Sequence, residues 1–175
     1  MINSKKIGRL KLIKYCLISL AIVLGFPILI ALFYNTFTSE SLSISTYYSN
    51  MTKGLIDDYD LLAALIVLMT VCIWFIGGLT GKLIIEKNKS KFLVGFMTFF
   101  SLWMLMFICL TLLNAIKKSF TWGFSGFESV VSGWVIYGLF MFLIFGIVHG
   151  LTMGYFYGNE LKKIKKRHAN NVYSA

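Results

Sequence analysis

The chain has 175 residues, of which 58% are hydrophobic, and it carries a formal net charge of +10. A soluble globular domain is about 45–50% apolar, so this surplus excludes an ordinary water-soluble fold and requires lipid to cover it. The positive charge would suggest a nucleic-acid partner in a soluble protein. No folded or aromatic reading surface accompanies it, so we expect no nucleic acid.

Charge-free apolar blocks predict four transmembrane helices. The blocks cover about 15–34, 61–81, 92–116 and 130–157, and none contains Lys, Arg, Asp or Glu. At about 1.5 Å per helical residue, each block is long enough to cross a hydrocarbon core of about 30 Å. The expected fold class is therefore an all-α membrane protein, a four-helix bundle that forms a single integral membrane domain over residues 1–175.

The basic residues indicate the orientation of this bundle. Fourteen of the 17 Lys and Arg residues lie before the first block, between the second and third, or after the last. The positive-inside rule then places both termini and the second connection in the cytoplasm, which requires an even number of spans. Anionic lipid headgroups are the expected partners of the basic tails. The Lys, Ile, Asn and Phe bias is typical of AT-rich bacterial genomes, so we expect a multi-pass protein of the bacterial cytoplasmic membrane.

The first block contains the single proline of the chain, Pro27. Proline removes the hydrogen bond to the carbonyl four residues earlier and crowds that turn, so a helix bend is expected at Pro27. The alternative interpretation is a hinge that moves during a working cycle.

An acidic group in the first connection, Asp57, Asp58 and Asp60, precedes the second block. Asp60 directly before an apolar helix predicts an N-cap, where a carboxylate also suits the helix dipole. Clustered carboxylates suit hard cations too, but the spacing is not that of an EF-hand, and we favour capping over a cation site.

The three cysteines, Cys16, Cys72 and Cys109, all lie inside apolar blocks, without a CxxC pair or Cys/His ligand spacing. We interpret them as small apolar packing residues, and the sequence predicts no disulfide, no metal site and no cofactor.

The third connection, 117–129, carries aromatic residues that alternate with glycines at 122–127. This pattern is typical of a turn at the membrane interface, where rings sit among headgroups and glycines allow a tight backbone. A contact with a partner outside the membrane is the alternative. Replacement of Gly123 by leucine is expected to be tolerated.

The most regular motif is a row of glycines in the fourth block, at Gly146, Gly150, Gly154 and Gly158. A spacing of four keeps them on one slowly rotating face, a glycine zipper that lets another helix approach closely. Gly77 and Gly81 in the second block share the spacing and are the expected mate. Docking onto another protein, self-association and a thin-walled pore are the alternatives. Gly150→Leu and Gly154→Leu are expected to disrupt folding or assembly.

His149 is the one histidine inside a block, and no charged residue joins it there. An ionisable residue at membrane depth is a functional candidate, here for a proton-linked step or a ligand contact. The plainer interpretation is a neutral histidine that hydrogen-bonds to Thr80, Thr152 or a carbonyl. A metal is disfavoured, because no second histidine or carboxylate lies in a block.

The blocks contain no acidic residue and the chain has no Walker A motif, so we expect no catalytic residues and no enzyme. The leading hypothesis is an accessory or partner subunit of a membrane transport, export or immunity system. Its expected partners are the lipid bilayer and another membrane protein or a second copy of the chain. The alternative is a small oligomeric transporter or channel component, with Pro27, His149 and the glycines as moving and lining parts.

Overall fold

The computed structural model describes residues 3–37, 43, 45, 49 and 58–173, and the regular structure of these residues is helical, without strands. The long helices are α1 (Ser4–Phe37), α2 (Tyr59–Gly81), α3 (Lys91–Gly133) and α4 (Leu139–Tyr173). A π-helical turn, Lys82–Glu86, extends α2, and a second one, Trp134–Gly138, leads from α3 into α4.

Two helical segments of the described chain are long and apolar enough to cross a membrane. They are Tyr59–Glu86, with 28 residues, and Lys91–Ile136, with 46 residues. They contain the second and third predicted blocks. Pro27 lies inside the continuous helical backbone of α1, and the bend expected there stays a prediction.

Helices that pack against each other run in opposite directions: α1 against α2, α2 against the part of α3 before Gly123, and that part of α3 against α4. Between α2 and α3, the hydroxyl oxygens of Thr80 and Thr98 lie 2.9 Å apart, and at the other end Lys117 Nζ donates to Asp58 at 2.6 Å. Polar contacts also join the start of α1 to the end of α2 and to α4, and the start of α3 to α4. The segments 3–14, 82–91 and 158–173 therefore meet at one end of the structure, which we call the basic end.

The turn expected over 117–129 is shortened to a single break inside α3, at which two helical stretches meet. Helical backbone runs through this segment and is broken at Gly123, where φ is 65° and ψ is −155°. Residues other than glycine rarely adopt this conformation, because a Cβ would collide with the backbone. The expectation that Gly123 tolerates leucine is therefore wrong, although a Cβ there would meet no other atom within 4 Å.

The main cluster of buried residues lies towards the basic end. Leu12, Ile84, Tyr157 and Leu161 are each 2% exposed or less, and they come from α1, the turn after α2, and α4. By contrast, α2 has no buried residue over 59–76 and becomes buried only from Gly77 onward. The helices are therefore held together tightly at the basic end, whereas most of α2 is only loosely covered by its neighbours.

Candidate functional site

The glycine row of α4 packs against the start of α3. A Cβ on Gly154 would lie 2.5 Å from the carbonyl oxygen of Gly95, and one on Gly158 would collide with the carbonyl oxygen of Lys91. Both obstacles are backbone atoms, which cannot rotate away. The close approach of α3 and α4 therefore depends on glycine, which has no side chain, at these positions.

Further from the basic end, the same row meets side chains. A Cβ on Gly150 would lie 2.7 Å from the ring of Phe96, and one on Gly146 would lie 3.3 Å from the ring of Phe100. Near the basic end, the backbone of α4 thus contacts the backbone of α3. Further along, the nearest atoms of α3 belong to phenylalanine rings. It follows that the two helices separate gradually along the row.

The glycines of α2 face α1 and not the row of α4. A Cβ on Gly77 would lie 2.9 Å from Arg9 Cα, and one on Gly81 would lie 2.9 Å from Gly8 Cα. The expected pairing with the α4 glycines is therefore wrong. Its physical reason is that α1 begins well before the first apolar block. Ser4 and Gly8 then form a small-residue pair with the same four-residue spacing as Gly77 and Gly81.

Tyr157 occupies the centre of the basic end. It is 0% exposed, and its hydroxyl donates to the carbonyl oxygen of Gly8 at 3.2 Å. Its ring lies edge-on to Tyr15 of α1 and Phe99 of α3, with centroids 6.0 Å apart in each case. One α4 side chain thus packs against both of these helices, and its hydroxyl finds a hydrogen-bond acceptor on the backbone of α1.

A half-buried ion pair lies beside Tyr157. Lys11 Nζ donates to Glu160 Oε1 at 2.6 Å, and Lys14 Nζ lies 3.6 Å from Oε2. Burial raises the pKa of Glu160, but the hydrogen bond from Lys11 and the charges of both lysines outweigh it, so the pKa falls below its ordinary value. Glu160 therefore stays ionised and binds α4 to α1.

Two further polar pairs connect the same end. Ser4 Oγ donates to Glu86 Oε1, and Lys91 Nζ donates to Asn159 Oδ1. The first joins α1 to the turn after α2, and the second joins α3 to α4. The polar side chains that flank the predicted spans are thus used to bind one helix to another.

Arg9 lies across Trp74 of α2. Its guanidinium carbon is 4.1 Å from the ring centroid, and Nε donates to the carbonyl oxygen of Trp74 at 3.2 Å. Stacking on an indole and bonding to a carbonyl both stabilise a guanidinium at a partly apolar position. Arg9 thus closes the outer side of the Gly8–Gly77 contact.

His149 is buried against α3. It is 9% exposed, its Nδ1 lies 3.2 Å from the carbonyl oxygen of Phe145, and its ring centroid is 4.6 Å from that of Trp103. Thr80 and Thr152 donate to carbonyls of their own helices. Of the three partners expected for His149, which were Thr80, Thr152 and a carbonyl, the structure shows the carbonyl. Its proton-linked or ligand-binding role stays a prediction. Among the described residues, no group of three His, Cys, Asp or Glu side chains is placed to hold a metal ion.

A cavity of about 190 Å³ lies between α1, α2 and α3. Its lining is almost entirely apolar and includes Met69 and Ile73 of α2 and Trp103 of α3. From α1 it receives Cys16 and Ser19, which lie one helical turn apart. The cavity lies where α2 begins to lose cover from its neighbours, and Trp103 separates it from His149.

At the end opposite the basic end, the acidic residues pair with a lysine. Lys117 Nζ lies 2.6 Å from Asp58 Oδ1 and 3.2 Å from Asp60 Oδ1, and all three side chains are exposed. The N-cap of α2 is Asp58, which makes no side-chain capping bond, so the expectation of Asp60 as the cap is wrong. The helix starts two residues earlier because Tyr59 and Asp60 extend it into the connection. Asp57 lies outside the described residues.

Sequence reasoning missed Gly8, Gly95, Tyr157 and Glu160. Gly8 and Glu160 fall in the basic tails of the predicted topology, and Tyr157 is the last residue of the predicted fourth span. The Ser4–Gly8 spacing in the first helix was an available signal for the α1–α2 contact. No local pattern would have paired Lys11 with Glu160, because their partnership depends on how helices distant in sequence pack.

Comparison of the chain with protein families, with curated proteins and with solved structures finds no significant match. The class of protein is therefore defined by the fold alone: an all-helical chain, over its described residues, with two helices suited to cross a membrane.

Proposed function

We propose that the chain is a non-catalytic membrane protein with four spans and both termini in the cytoplasm. It serves as an accessory or partner subunit of a membrane transport, export or immunity system. The observation that carries this proposal is the use made of the polar groups at the basic end. Lys11, Glu160, Lys91 and Tyr157 each bind another helix of the same chain, which is what a packing scaffold requires.

The orientation is supported by the meeting of three basic segments at one end. Segments 3–14, 82–91 and 158–173 hold most of the positive charge, and a membrane-inserted chain keeps such segments on the cytoplasmic side. The alternating directions of the helices are compatible with four spans and with both tails on that side.

The exposed surface of α2 supports the proposed contact with a partner protein. Ile66, Val67 and Phe75 are 56%, 63% and 69% exposed, and the first three-quarters of the helix has no buried residue. A contiguous apolar face of this kind is covered by lipid or by a helix of another protein.

Affinity purification in a mild detergent tests the proposal. We expect a membrane-protein partner to co-purify in stoichiometric amount from the native host. Loss of that partner from a Val67→Ala, Phe75→Ala double variant, but not from the matched double variant Leu93→Ala, Met97→Ala on α3, would locate the contact on α2. A clean homo-oligomer that moves solute across liposome membranes would contradict the accessory function.

The second candidate function is a small oligomeric transporter or channel component. The cavity between α1, α2 and α3 favours it, because the cavity ends at Trp103, which touches His149. In liposomes, a proton-linked transporter would show an activity profile between about pH 5.5 and 8 that changes in His149→Gln, since histidine titrates in this range. An identical pH profile in the parent and in His149→Gln would rule out proton-linked transport through His149.

A further inference from the structure

Two lysines of α1 share one carboxylate of α4. Lys11 Nζ donates to Glu160 Oε1 at 2.6 Å, whereas Lys14 Nζ lies 3.6 Å from Oε2, which is longer than a hydrogen bond. Oε2 is buried and receives no hydrogen bond, so the carboxylate does not hold Lys14 in place. The Lys14 side chain is 53% exposed. One negative charge therefore faces two positive charges, and the Lys14 ammonium group is accessible to a further anion.

The side of α4 that carries Glu160 is otherwise cationic. Lys163 and Arg167 follow Glu160 by three and seven residues in the same helix, which places them on this side, and both are exposed. Helical side chains tilt towards the start of their helix, so both cations lean back towards Glu160. The stretch 161–173 contains no Asp or Glu. With the two lysines of α1, this edge has four cations and one carboxylate, which leaves a net charge of +3.

These charges lie where two predicted spans end. Lys14 directly precedes the first span, and Glu160 lies three residues after the fourth. The two span ends meet, because the ring centroids of Tyr15 and Tyr157 are 6.0 Å apart. In the proposed topology, the cations of α1 and α4 are therefore placed at the depth of the cytoplasmic lipid headgroups.

Exposed apolar side chains lie about one helical turn deeper than the charges. Leu17, three residues after Lys14, is 61% exposed, and Phe156, four residues before Glu160, is 57% exposed. Cations at headgroup depth beside exposed hydrocarbon match the two parts of a phospholipid, the phosphate and the acyl chains. A free phosphate ion would use only the first of these two features.

We propose that the edge formed by Lys14 of α1 with Lys163 and Arg167 of α4 binds the phosphate of one anionic phospholipid. The phosphate oxygens accept hydrogen bonds from these three cations, and the acyl chains lie against the apolar side chains one turn deeper. The proposal rests on the proposed membrane topology and not on the accessory function. Cysteine labelling from the two sides of the membrane tests that topology separately, so failure of the lipid site and failure of the topology are distinguishable.

Native mass spectrometry of the full chain in a mild detergent tests the proposal, because each bound lipid appears as an added mass. The protein is titrated with phosphatidylglycerol, with phosphatidylcholine of the same acyl chains, and with inorganic phosphate. We expect one saturable site for phosphatidylglycerol. Phosphatidylcholine, whose headgroup has no net charge, should bind several-fold more weakly, and inorganic phosphate should bind more weakly still.

Lys14→Gln and Lys163→Gln should each weaken the binding of phosphatidylglycerol about fivefold, the loss expected for one cation at an anionic lipid surface. Lys89→Gln is the matched control. It removes the same charge from an exposed position at the basic end, on the link between α2 and α3, and it should bind like the parent. Because Lys14 also lies beside Glu160, Lys163→Gln keeps the test independent of any change in the stability of the ion pair.

Equal losses in Lys14→Gln, Lys163→Gln and Lys89→Gln would overturn the proposal, because the lipid would then be attracted by the whole basic end and not by this edge. Equal affinity for the two phospholipids would overturn it as well, since the cations would contribute nothing. Inorganic phosphate that binds as tightly as phosphatidylglycerol would likewise contradict it, because the exposed apolar side chains would then have no part in binding.

Discussion

At the scale of single residues, the glycines are not equivalent. Gly154 and Gly158 face backbone carbonyls, Gly150 faces a ring, and Gly133 faces open space within 4 Å. A ring can rotate to admit a methyl group, whereas a carbonyl in a helix cannot. The consequence of adding a side chain is therefore decided by the nearest atom and not by membership of the row.

Gly154→Ala should destabilise the protein by about 1–3 kcal/mol, because the new methyl group would push α3 and α4 apart at Gly95. Gly133→Ala is the matched control: it should be neutral or stabilising by up to about 1 kcal/mol, since alanine favours a helix and nothing obstructs it. Thermal unfolding in detergent measures both. Equal melting temperatures for the two variants would refute a packing role for Gly154.

Gly123 is needed for its backbone conformation and not for space. Gly123→Ala should cost about 1–3 kcal/mol, because a φ of 65° with a ψ of −155° is unfavourable for any residue with a Cβ. The same substitution at Gly133, which is helical, supplies the comparison. A melting temperature for Gly123→Ala that matches the parent would show that the break is absent in solution.

At the scale of the elements, α4 joins the structure through its charge-bearing extension as well as through its apolar part. Glu160 lies beyond the predicted fourth span, yet it binds Lys11 and Lys14 of α1. The pairing places an acceptor for two lysines beside the buried Tyr157. Loss of the carboxylate charge should therefore loosen α1 from α4.

Glu160→Gln should lower stability by about 1 kcal/mol at neutral pH, since it weakens a charge-assisted hydrogen bond. The pKa of Glu160 is lowered by folding, so its contribution is complete above the ordinary carboxyl pKa and is lost as the pH falls through the lower, folded-state pKa. The parent should therefore lose stability in acid below about pH 4.5, with a smaller loss in Glu160→Gln.

Melting curves between about pH 3 and 8, which span the titration range of carboxyl groups, measure this difference, and Glu128→Gln at an exposed position is the control. Glu128→Gln should follow the parent at every pH. Parallel curves for the parent and Glu160→Gln across the acid range would show that the Lys11–Glu160 pair does not contribute.

At the scale of the whole molecule, the helices meet at the basic end and leave a cavity and a sparsely covered α2 beyond it. This asymmetry has a simple cause. Small residues that permit backbone contact, namely Gly8, Gly77, Gly95 and Gly154, are concentrated towards that end. Elsewhere the helices are separated by large side chains, and many apolar side chains of α2 stay exposed.

The proposed topology makes a labelling prediction. In a cysteine-free background, Lys89→Cys and His168→Cys should react with a membrane-impermeant maleimide only after the cells are opened. Ser125→Cys at the opposite end should react in intact cells. All three positions are exposed, so differences in reactivity report sidedness. Labelling of Lys89→Cys and His168→Cys from opposite sides would exclude four spans.

The sequence by itself determined the helical class, because long charge-free blocks permit little else, and it also drew attention to Gly154 and His149. The partners of these residues were decided only by the tertiary structure. Gly77 packs against α1 beside Gly8, and Lys11 pairs with Glu160. Each contact depends on how helices distant in sequence are rotated and set in depth. The reason is physical: apolar character and charge act locally along one helix, whereas close packing is a property of two surfaces that meet.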